Sequence, residues 1–359
     1  MKILLVDLET EWRGGQNQAL LLLKGLRARG HAVALVAAAG AALQQRAGAA
    51  GISVHAARGP VLRARAAALL ARLTREQTYD IVHVNEPHAL TAAWLARTHR
   101  RVPLLVSRRV GYPISQNYFA RLRWAAADRI VAISKWSAER VVRSGIPESK
   151  VAIVYEGMAI PARPTDEQRA KARAKWNIAG EAPLLGCVGV LSPDKGQEWL
   201  IRGLAELRKK FPAAKLLLAG DGPCRVRLQK LAQEVGVGDA VTFAGFVADV
   251  ESVYAALDVF LLPSFFEAQS NALMSAMAYA IPSIAFNLGG PAEIIEDGQS
   301  GLLVEPAKVE VLGEAVAKLL ENATFAGELG ENGRKRIERF FSADKMVDEM
   351  IRVYQVGRP

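Results

Sequence analysis

The sequence predicts an α/β protein with two doubly wound parallel sheets, and three observations support this fold class. Short apolar runs alternate with helical patterns along the chain, which is typical of parallel sheets covered by helices. Residues 158–165 contain two prolines and interrupt the alternation, as an interdomain linker does. A length of 359 residues suits two domains that each bury a core.

The first half of the chain predicts a series of parallel strands. They cover residues 2–7, 33–37, 52–55, 81–84, 104–107, 129–133 and 151–155. Helices are predicted between them at 16–30, 89–97 and 137–144. The first helix follows the Gly14-Gly15 turn and repeats apolar residues at helical spacing.

The second half repeats the alternation from residue 183. Strands that end in glycine turns are predicted within 185–196, 215–222 and 241–246. A buried strand at 259–262, a helix at 271–279, a strand at 283–286 and a terminal helix at 342–356 follow. We therefore expect an N-terminal domain over 1–162, a C-terminal domain over 163–340 and a terminal segment over 341–359.

Positive charge is concentrated in the first half of the chain. Residues 1–162 contain 23 Lys and Arg against 10 Asp and Glu, whereas residues 163–359 contain 23 against 26. This asymmetry predicts an anionic partner for the first half, such as a phosphorylated acceptor or anionic lipid. The sequence shows neither a nucleic-acid recognition motif nor an aromatic-studded basic surface, so we expect no nucleic acid.

Cysteine content and hydropathy predict a cytoplasmic protein. Cys187 and Cys224 fall in or beside predicted buried elements and fit reduced core residues better than a disulfide scaffold. The N terminus has no signal-peptide pattern, and the longest apolar stretch, 32–43, is shorter than the roughly 20 residues that cross a bilayer. Peripheral attachment to the inner face of the cytoplasmic membrane stays open.

Residues 58–75 predict a basic, alanine-rich helix with two open interpretations. Four leucines can share one side, with arginines flanking it: Leu62, Leu69, Leu70 and Leu73, and Arg63, Arg65 and Arg72. The helix either packs on the sheet as an ordinary surface helix or lies on an anionic membrane beside an acceptor site.

The stretch 261–306 predicts an anion site. Glu267 follows five residues after Leu262, at the C-terminal end of a predicted strand, and a helical run begins at Asn271. The next strand ends in a turn with two glycines, at 288–290. Ligands of open α/β sheets bind at the carboxyl ends of strands, where helix N-termini direct amides at anions.

Five motifs of the second half, taken in order, resemble one enzyme family. They are VGVLSPDKG at 188–196, LAGDGP at 218–223, FAGFV at 243–247, PSFFEAQSNALMSAMA at 263–278 and GGPAEIIEDGQSGLLVEP at 289–306. They resemble the nucleotide-sugar-binding half of retaining glycosyltransferases of the GT4 family, and the resemblance extends over nearly the whole chain. It implies the GT-B fold, with two Rossmann-like domains facing a cleft and the last helix crossing back. The first domain would bind the acceptor and the second the nucleotide sugar.

The resemblance implies a set of donor contacts. Lys195 stands where the family has a diphosphate-binding base, and Glu267 begins the family's Glu-x7-Glu motif. Two positions depart from the pattern: Val190 replaces the usual arginine, and Ser275 replaces the second glutamate, which usually holds the ribose. Either Lys195 acts without that arginine, or an arginine elsewhere substitutes. The predicted donor-binding residues are Gly15, Gly189, Val190, Lys195, Gly245, Phe246, Val247, Glu267, Asn271, Ala272, Leu273 and Ser275.

Acceptor contacts are predicted at the strand ends of the first half. The pair Arg108-Arg109 follows a strand where many family members have a histidine, and two guanidinium groups suit a phosphate or carboxylate. His83, inside a strand, is expected to be a packed histidine. The predicted acceptor-binding residues are Gln16, Asn17, His88, Arg108, Arg109 and Tyr112.

The resemblance implies sugar transfer with retained anomeric configuration. We expect Glu267, Lys195 and Arg109 to be catalytic and front-face displacement to apply, because no second carboxylate stands ready as a nucleophile. The sequence has no Asp-x-Asp at a strand end, so we expect neither metal nor cofactor. A UDP-sugar is favoured as donor, with GDP- and ADP-sugars left open.

Two alternatives remain at this level. The acceptor is expected to be lipid-linked or otherwise anionic, as in cell-envelope glycoconjugate synthesis, but a small-molecule acceptor is also compatible with the sequence. An inactive nucleotide-sugar-binding protein of the same fold is the other alternative, because Val190 and Ser275 remove two customary donor contacts.

Overall fold

The computed structural model describes residues 1–178, 180 and 182–356, and these form two compact units. Unit 1 comprises residues 1–159 together with the C-terminal segment from residue 341, and unit 2 comprises residues 160–340. Each unit contains one parallel sheet with helices on its faces. Among the described residues, no helix has both the length and the apolarity to cross a membrane.

Unit 1 contains a seven-stranded parallel sheet in the order β3-β2-β1-β4-β5-β6-β7. Its strands are β1 (Lys2–Asp7), β2 (Ala32–Ala38), β3 (Ser53–Ala57), β4 (Ile81–Val84), β5 (Leu104–Arg108), β6 (Arg129–Ala132) and β7 (Val151–Ile153). Its helices before residue 160 are α1 (Gly14–Ala28), α2 (Ala42–Ala49), α3 (Leu62–Glu76), α4 (Pro87–Leu95), α5 (Tyr118–Ala125) and α6 (Lys135–Arg143).

Unit 2 contains a six-stranded parallel sheet in the order β10-β9-β8-β11-β12-β13. Its strands are β8 (Leu184–Val188), β9 (Lys215–Ala219), β10 (Val241–Gly245), β11 (Val259–Leu262), β12 (Ser283–Phe286) and β13 (Leu302–Val304). Its helices are α7 (Asp166–Lys175), α8 (Gln197–Leu207), α9 (Arg225–Glu234), α10 (Glu251–Ala256), α11 (Asn271–Ala278), α12 (Pro291–Ile294), α13 (Val309–Glu321) and α14 (Ala323–Phe340).

The C-terminal helix α15 (Ala343–Gln355) packs on α1 within unit 1. Gly25 of α1 permits this approach, because a Cβ there would lie 2.4 Å from Cγ2 of Val347. At the other end of α15, the Tyr354 hydroxyl lies 2.7 Å from Nδ1 of His83, whose Nε2 lies 2.8 Å from Oγ of Ser107. The prediction of a packed His83 is confirmed, and burial lowers its pKa to about 3.

Replacing Tyr354 with phenylalanine is expected to lower the free energy of unfolding by about 1–3 kcal/mol, because the fully buried Nδ1 of His83 loses its partner. Urea unfolding followed by circular dichroism measures the change. Tyr79→Phe is the matched control: the Tyr79 hydroxyl bonds to the partly buried side chain of Gln77, so a cost below about 1 kcal/mol is expected. Equal losses in the two variants would contradict this role of the His83 network.

The order of strands reverses once in each sheet, and this locates the candidate site. In unit 1 the reversal falls between β1 and β4, and in unit 2 between β8 and β11. Connections run in opposite directions from such a point, so a crevice opens at the carboxyl ends of the two central strands. A ligand site is therefore expected among the residues that directly follow these four strands.

Helix α3 settles part of the interpretation of residues 58–75. Leu70 and Leu73 are buried and Leu62 and Leu69 pack against the core of unit 1, while the arginines point to solvent. The apolar side of α3 is thus used within the fold, as in an ordinary surface helix.

Candidate active site

An ion pair links the ends of the two central strands of unit 2. Lys195 ends a short 3₁₀ helix (Pro193–Lys195) after β8, and its Nζ donates to Oε2 of Glu267, which follows β11. The two side chains are 25% and 15% exposed, so the pair is shielded yet accessible. The structure therefore brings together the two residues of unit 2 that the sequence predicts to be catalytic.

Gly196 accounts for the close approach of these two loops. It adopts φ +66°, and a Cβ there would lie 2.2 Å from the backbone oxygen of Pro263. The amide of Phe265 also donates to the backbone oxygen of Asp194 at 2.8 Å. Only glycine permits both this left-handed backbone and this contact.

The N-terminus of α11 lies directly after Glu267. The Oγ of Ser270 caps the helix by accepting from the amide of Leu273 at 3.3 Å. The loop is held from the other side by Gly290, whose amide donates to the backbone oxygen of Glu267 at 2.9 Å. A Cβ at Gly290 would lie 2.0 Å from the backbone oxygen of Ala268. Asn271 and Ala272, the first two residues of the helix, are half-buried, so the helix N-terminus is accessible beside the ion pair.

The turn after β8 carries Val190 at its tip. Gly189 donates its amide to the backbone oxygen of Ala219, and the Val190 side chain is 56% exposed. Gln197, which the sequence analysis did not single out, is buried and donates its Nε2 to the backbone oxygen of Val190 at 2.9 Å. These two hydrogen bonds hold the backbone of the turn in place. Its exposed side chain, Val190, is uncharged at the position where the resembled family usually has arginine.

The loop after β10 presents an aromatic ring to solvent. Gly245 has φ +68°, Phe246 is 85% exposed and Val247 is half-buried. Arg225, at the start of α9, donates to the backbone oxygen of Phe243 at 3.2 Å and pairs with a carboxylate oxygen of Asp221 at 3.1 Å. Arg225 is therefore an arginine at the carboxyl edge of the sheet, although its charge is partly met by that carboxylate.

Ser275 lies against a buried tyrosine. Tyr254 donates its hydroxyl to the backbone oxygen of Ala272 at 3.3 Å, and burial raises its pKa although a hydrogen bond with Ser275 opposes the rise. Ser275 is half-buried. Its hydroxyl supports the first turns of α11, so its observed contact is with the protein interior.

In unit 1 a buried polar chain connects the ends of β1, β4 and β5. Asp7 is fully buried and accepts from Nε2 of Gln16 at 3.0 Å and from Nδ2 of Asn85 at 2.6 Å. The Oδ1 of Asn85 accepts from Nη2 of Arg109 at 2.7 Å, and Nη1 of Arg109 pairs with Oε1 of Glu156 at 2.5 Å. Arg109 is thus held in one orientation by two buried partners.

This chain changes what Gln16 can do. Gln16 is buried and its amide is bound to Asp7, so its side chain supports the strand end instead of facing an acceptor. Asn17, the next residue, is exposed. Gly15 lies over Arg109, because a Cβ at this glycine would be 3.5 Å from Cδ of Arg109.

Arg108 is also directed inward. It is 8% exposed, its Nη2 donates to the backbone oxygen of Tyr112, and its guanidinium lies 5.4 Å from the ring centroid of Trp124. Burial lowers its pKa. The two adjacent arginines therefore do not form an open anion-binding pair: Arg108 shapes the loop that carries the 59%-exposed Tyr112.

His88 lies with two carboxylates after β4. Buried Glu86 caps α4 by accepting from the amides of His88 and Ala89, and also accepts from the amide of Leu8 at 3.1 Å. Burial raises the pKa of Glu86 to about 7. In the described part of the chain, Glu9, Glu86 and His88 are the group whose ligand atoms are close enough to share a metal ion, but three backbone donors already occupy the Glu86 carboxylate.

Comparisons with known proteins decide the family. The family model described as "Glycosyltransferase Family 4" matches residues 12–160, and the family model described as "Glycosyl transferases group 1" matches residues 168–336. A GDP-mannose-dependent α-(1-6)-phosphatidylinositol monomannoside mannosyltransferase of Mycobacterium tuberculosis is 30% identical over 264 residues, covering 69% of this chain and 68% of that relative. The chain belongs to glycosyltransferase family 4. It is an enzyme that transfers sugar from a nucleotide sugar, and the predicted family resemblance is confirmed.

Other relatives of this glycosyltransferase agree with the assignment. The lipopolysaccharide core biosynthesis glycosyltransferase LpsE of Rhizobium meliloti is 29% identical, over 73% of this chain and 74% of that relative. The solved structure of Anabaena HepE in complex with UDP has a TM-score of 0.86 at 21% identity, over 99% of this chain and 100% of that chain. A glycosyltransferase from Rickettsia africae has the same TM-score at 20% identity, over 99% and 98% of the two chains. The GT-B fold predicted from the sequence is thereby confirmed.

Proposed function

We propose that this glycosyltransferase moves a sugar from a nucleoside-diphosphate sugar to an acceptor hydroxyl with retention of anomeric configuration. The observation that supports it best is the Lys195–Glu267 pair beside the capped N-terminus of α11. In this proposal unit 2 binds the donor and unit 1 the acceptor, which are the roles that the sequence analysis gives to segments 163–340 and 1–162.

Lys195 is proposed to meet the negative charge that develops on the leaving diphosphate. Its ammonium and the amides of Asn271 and Ala272 are donors fixed before the reaction, and such preorganised donors stabilise charge that forms in the transition state. The amide of the buried Leu273 instead donates to the capping Oγ of Ser270. In the structure, Glu267 holds the ammonium in place. On binding, a hydroxyl of the donor sugar would take up one oxygen of Glu267.

Front-face displacement fits these residues. The departing phosphate accepts the proton of the acceptor hydroxyl while the new bond forms on the same face of the sugar, so the protein supplies no nucleophile. Arg109 contributes an oriented guanidinium whose charge Glu156 already balances. Its proposed role is therefore to position the reacting sugar by hydrogen bonds, more than to bind a phosphate. Neither metal nor cofactor is part of this proposal.

Contacts to the base and diphosphate are proposed at two further turns. Phe246, which is exposed, is proposed to line the base together with Gly245 and Val247. The Gly189–Val190 turn offers backbone groups to the diphosphate, and Arg225 is the candidate substitute for the missing arginine. We favour a UDP-sugar; HepE, whose solved structure contains UDP, has this fold, whereas the mycobacterial relative is GDP-mannose-dependent.

The acceptor is proposed to be lipid-linked or otherwise anionic, in cell-envelope glycoconjugate synthesis. The excess positive charge of residues 1–162 supports it, as do relatives named for a phosphatidylinositol monomannoside and for the lipopolysaccharide core. Asn17, His88 and Tyr112 are the exposed predicted acceptor contacts of unit 1. The enzyme would act in the cytoplasm, at the inner face of the cytoplasmic membrane.

A transfer assay tests this proposal. Radiolabelled UDP-, GDP- and ADP-sugars are incubated with the enzyme and a detergent-dispersed bacterial lipid extract, and products are separated by solvent partition. We expect the labelled sugar of one donor to enter the lipid phase. NMR coupling constants should show that its anomeric configuration in the product is the same as in the donor. Label only in water-soluble products would favour a small-molecule acceptor. An inverted linkage would contradict retention, and binding without turnover would favour the inactive alternative.

A further inference from the structure

Arg109 lies against a buried carboxylate at the strand ends of unit 1. Glu156, which follows β7, is 5% exposed, and its Oε1 accepts from Nη1 of Arg109 at 2.5 Å. A buried carboxylate in this position balances the charge of the guanidinium, and its removal would leave a shielded cation without compensation. The ion pair therefore fixes both the direction and the net charge of the Arg109 side chain.

The backbone that carries Glu156 is held tightly within unit 1. Gly157 donates its amide to Oε1 of Gln18 at 3.3 Å, and Nε2 of Gln18 donates to the backbone oxygen of Gly157 at 2.8 Å. A Cβ at Gly157 would lie 2.6 Å from the backbone oxygen of Ser342, so glycine permits the C-terminal segment to pack here. Glu156 is thus presented from a rigid backbone, which a residue that orients another side chain requires.

Asn85 holds the other terminal nitrogen of Arg109. Its Nδ2 donates to Oδ2 of Asp7 at 2.6 Å and to the backbone oxygen of Gly15 at 3.2 Å. Its Oδ1 is therefore the atom that accepts from Nη2 of Arg109, at 2.7 Å. This chain of side chains contains two buried carboxylates, those of Asp7 and Glu156, and a single guanidinium. It offers oriented N–H donors but no spare positive charge.

A carboxylate and a hydroxyl would meet this arrangement differently. An unpaired guanidinium favours a carboxylate, because it can donate two parallel hydrogen bonds to it. In Arg109, however, each terminal nitrogen already donates to a protein acceptor. An incoming carboxylate would also approach the buried negative charge of Glu156, and like charges at short range are unfavourable. A hydroxyl needs one hydrogen bond and brings no charge, so it avoids this repulsion.

We propose that Glu156 determines specificity by making the enzyme transfer an uncharged sugar and reject a sugar that carries a carboxylate. Pairing with Glu156 converts Arg109 from an anion-binding group into a neutral group that donates hydrogen bonds. The unfavourable approach of a second carboxylate supplies the discrimination. This inference rests on the proposed function, in which Arg109 positions the reacting sugar, and it adds the chemical class of that sugar.

Matched pairs of donors test this proposal with the full-length enzyme. UDP-glucose is compared with UDP-glucuronic acid, UDP-galactose with UDP-galacturonic acid, and GDP-mannose with GDP-mannuronic acid. The members of each pair differ only by a carboxylate in place of a primary alcohol. The value of kcat/KM is measured from nucleotide release, with the bacterial lipid extract as acceptor. For the pair that the wild type uses, we expect the neutral donor to be favoured at least about tenfold.

Glu156→Gln keeps a side chain of similar size that can accept a hydrogen bond, but it removes the negative charge. We expect kcat/KM for the neutral donor to fall about tenfold, while the acidic donor gains relative to it, so that the preference shrinks at least about tenfold. Glu156→Asp keeps the charge and should retain the preference at a lower turnover. A purely structural role of Glu156 would lower both donors equally and leave the preference unchanged.

Two further variants serve as controls. Glu156→Gln buries a cation without compensation, and a double variant keeps the test valid if that protein does not fold. Arg109→Gln/Glu156→Gln removes both charges, so its preference should lie between those of the wild type and Glu156→Gln. Glu148→Gln removes an exposed carboxylate from the same unit and should leave the preference unchanged.

Three outcomes would overturn the assignment of specificity to Glu156. They are equal use of both members of the pair by the wild type, an equal loss with both donors in Glu156→Gln, and a wild-type preference in the double variant. Each of them includes sugar transfer, so the proposed function would stand. Nucleotide release from none of these donors would instead overturn the proposed function, together with the inference that rests on it.

Discussion

Replacing Lys195 with alanine is expected to lower kcat about a hundredfold while the protein stays folded. The variant removes a charge-assisted donor of about 1.5–3 kcal/mol from the leaving diphosphate, and each 1.4 kcal/mol corresponds to about a factor of ten. Steady-state rates of nucleotide release with the preferred donor measure it. Because the interaction strengthens as charge develops, kcat should fall more than KM changes.

Matched variants separate catalysis from the ion pair itself. Lys230→Ala removes a 79%-exposed lysine side chain of α9 and should leave kcat unchanged. Glu267→Gln keeps a hydrogen-bond acceptor near Lys195 but removes the negative charge, so it should impair transfer without mimicking the loss of the ammonium. If Lys195→Ala retains nearly full turnover, or fails only because it unfolds, Lys195 is a structural partner of Glu267 and the proposed role is wrong.

Replacing Gly196 with alanine is expected to lower the free energy of unfolding by about 3 kcal/mol or more. Two costs add: alanine is strained at φ +66°, and its Cβ would lie 2.2 Å from the backbone oxygen of Pro263. The loops after β8 and β11 would have to separate, and this would also break the ion pair between Lys195 and Glu267. Urea unfolding gives the stability, and donor affinity should fall with it.

Gly236→Ala is the control for backbone strain alone. Gly236 has φ +75°, and a Cβ added there would meet no atom within 4 Å, so this variant should lose only about 1 kcal/mol. Similar losses of stability at the two glycines would show that backbone strain accounts for the whole effect. The contact between Gly196 and Pro263 would then contribute nothing measurable to the free energy of unfolding.

Much of the fold follows from apolar runs with clear limits. β4, β11 and β12 have the predicted bounds, because each is a fully buried run that ends at a turn or a proline. Helix starts are predicted less accurately: α4 begins at Pro87, two residues before the predicted start, since Glu86 caps it and proline suits the first turn. The predicted strand at 151–155 ends at Ile153.

The sequence identifies several residues of the candidate site, but it does not predict which of them contact one another. Motifs identify Lys195 and Glu267 separately, but the two are 72 residues apart, and no local signal announces their ion pair. Asn85 and Glu86 could have been found, because they directly follow a central strand. Glu156 could not: its contact with Arg109 arises only from the order of the strands. The inward direction of Gln16 and Arg108 likewise depends on packing that a linear pattern does not contain.

The most direct test of the account is a thermal-shift titration of wild type and Lys195→Ala with UDP-, GDP- and ADP-sugars and the free nucleotides. Binding to the folded state stabilises it by RT ln(1 + [L]/Kd) and raises Tm, so a ligand at 100 times its Kd contributes about 2.7 kcal/mol. We predict that a UDP-sugar raises Tm and that the shift is largely lost in Lys195→Ala. No shift with any nucleotide, or a shift that Lys195→Ala leaves unchanged, would contradict the assignment of the donor site to the Lys195–Glu267 edge of unit 2.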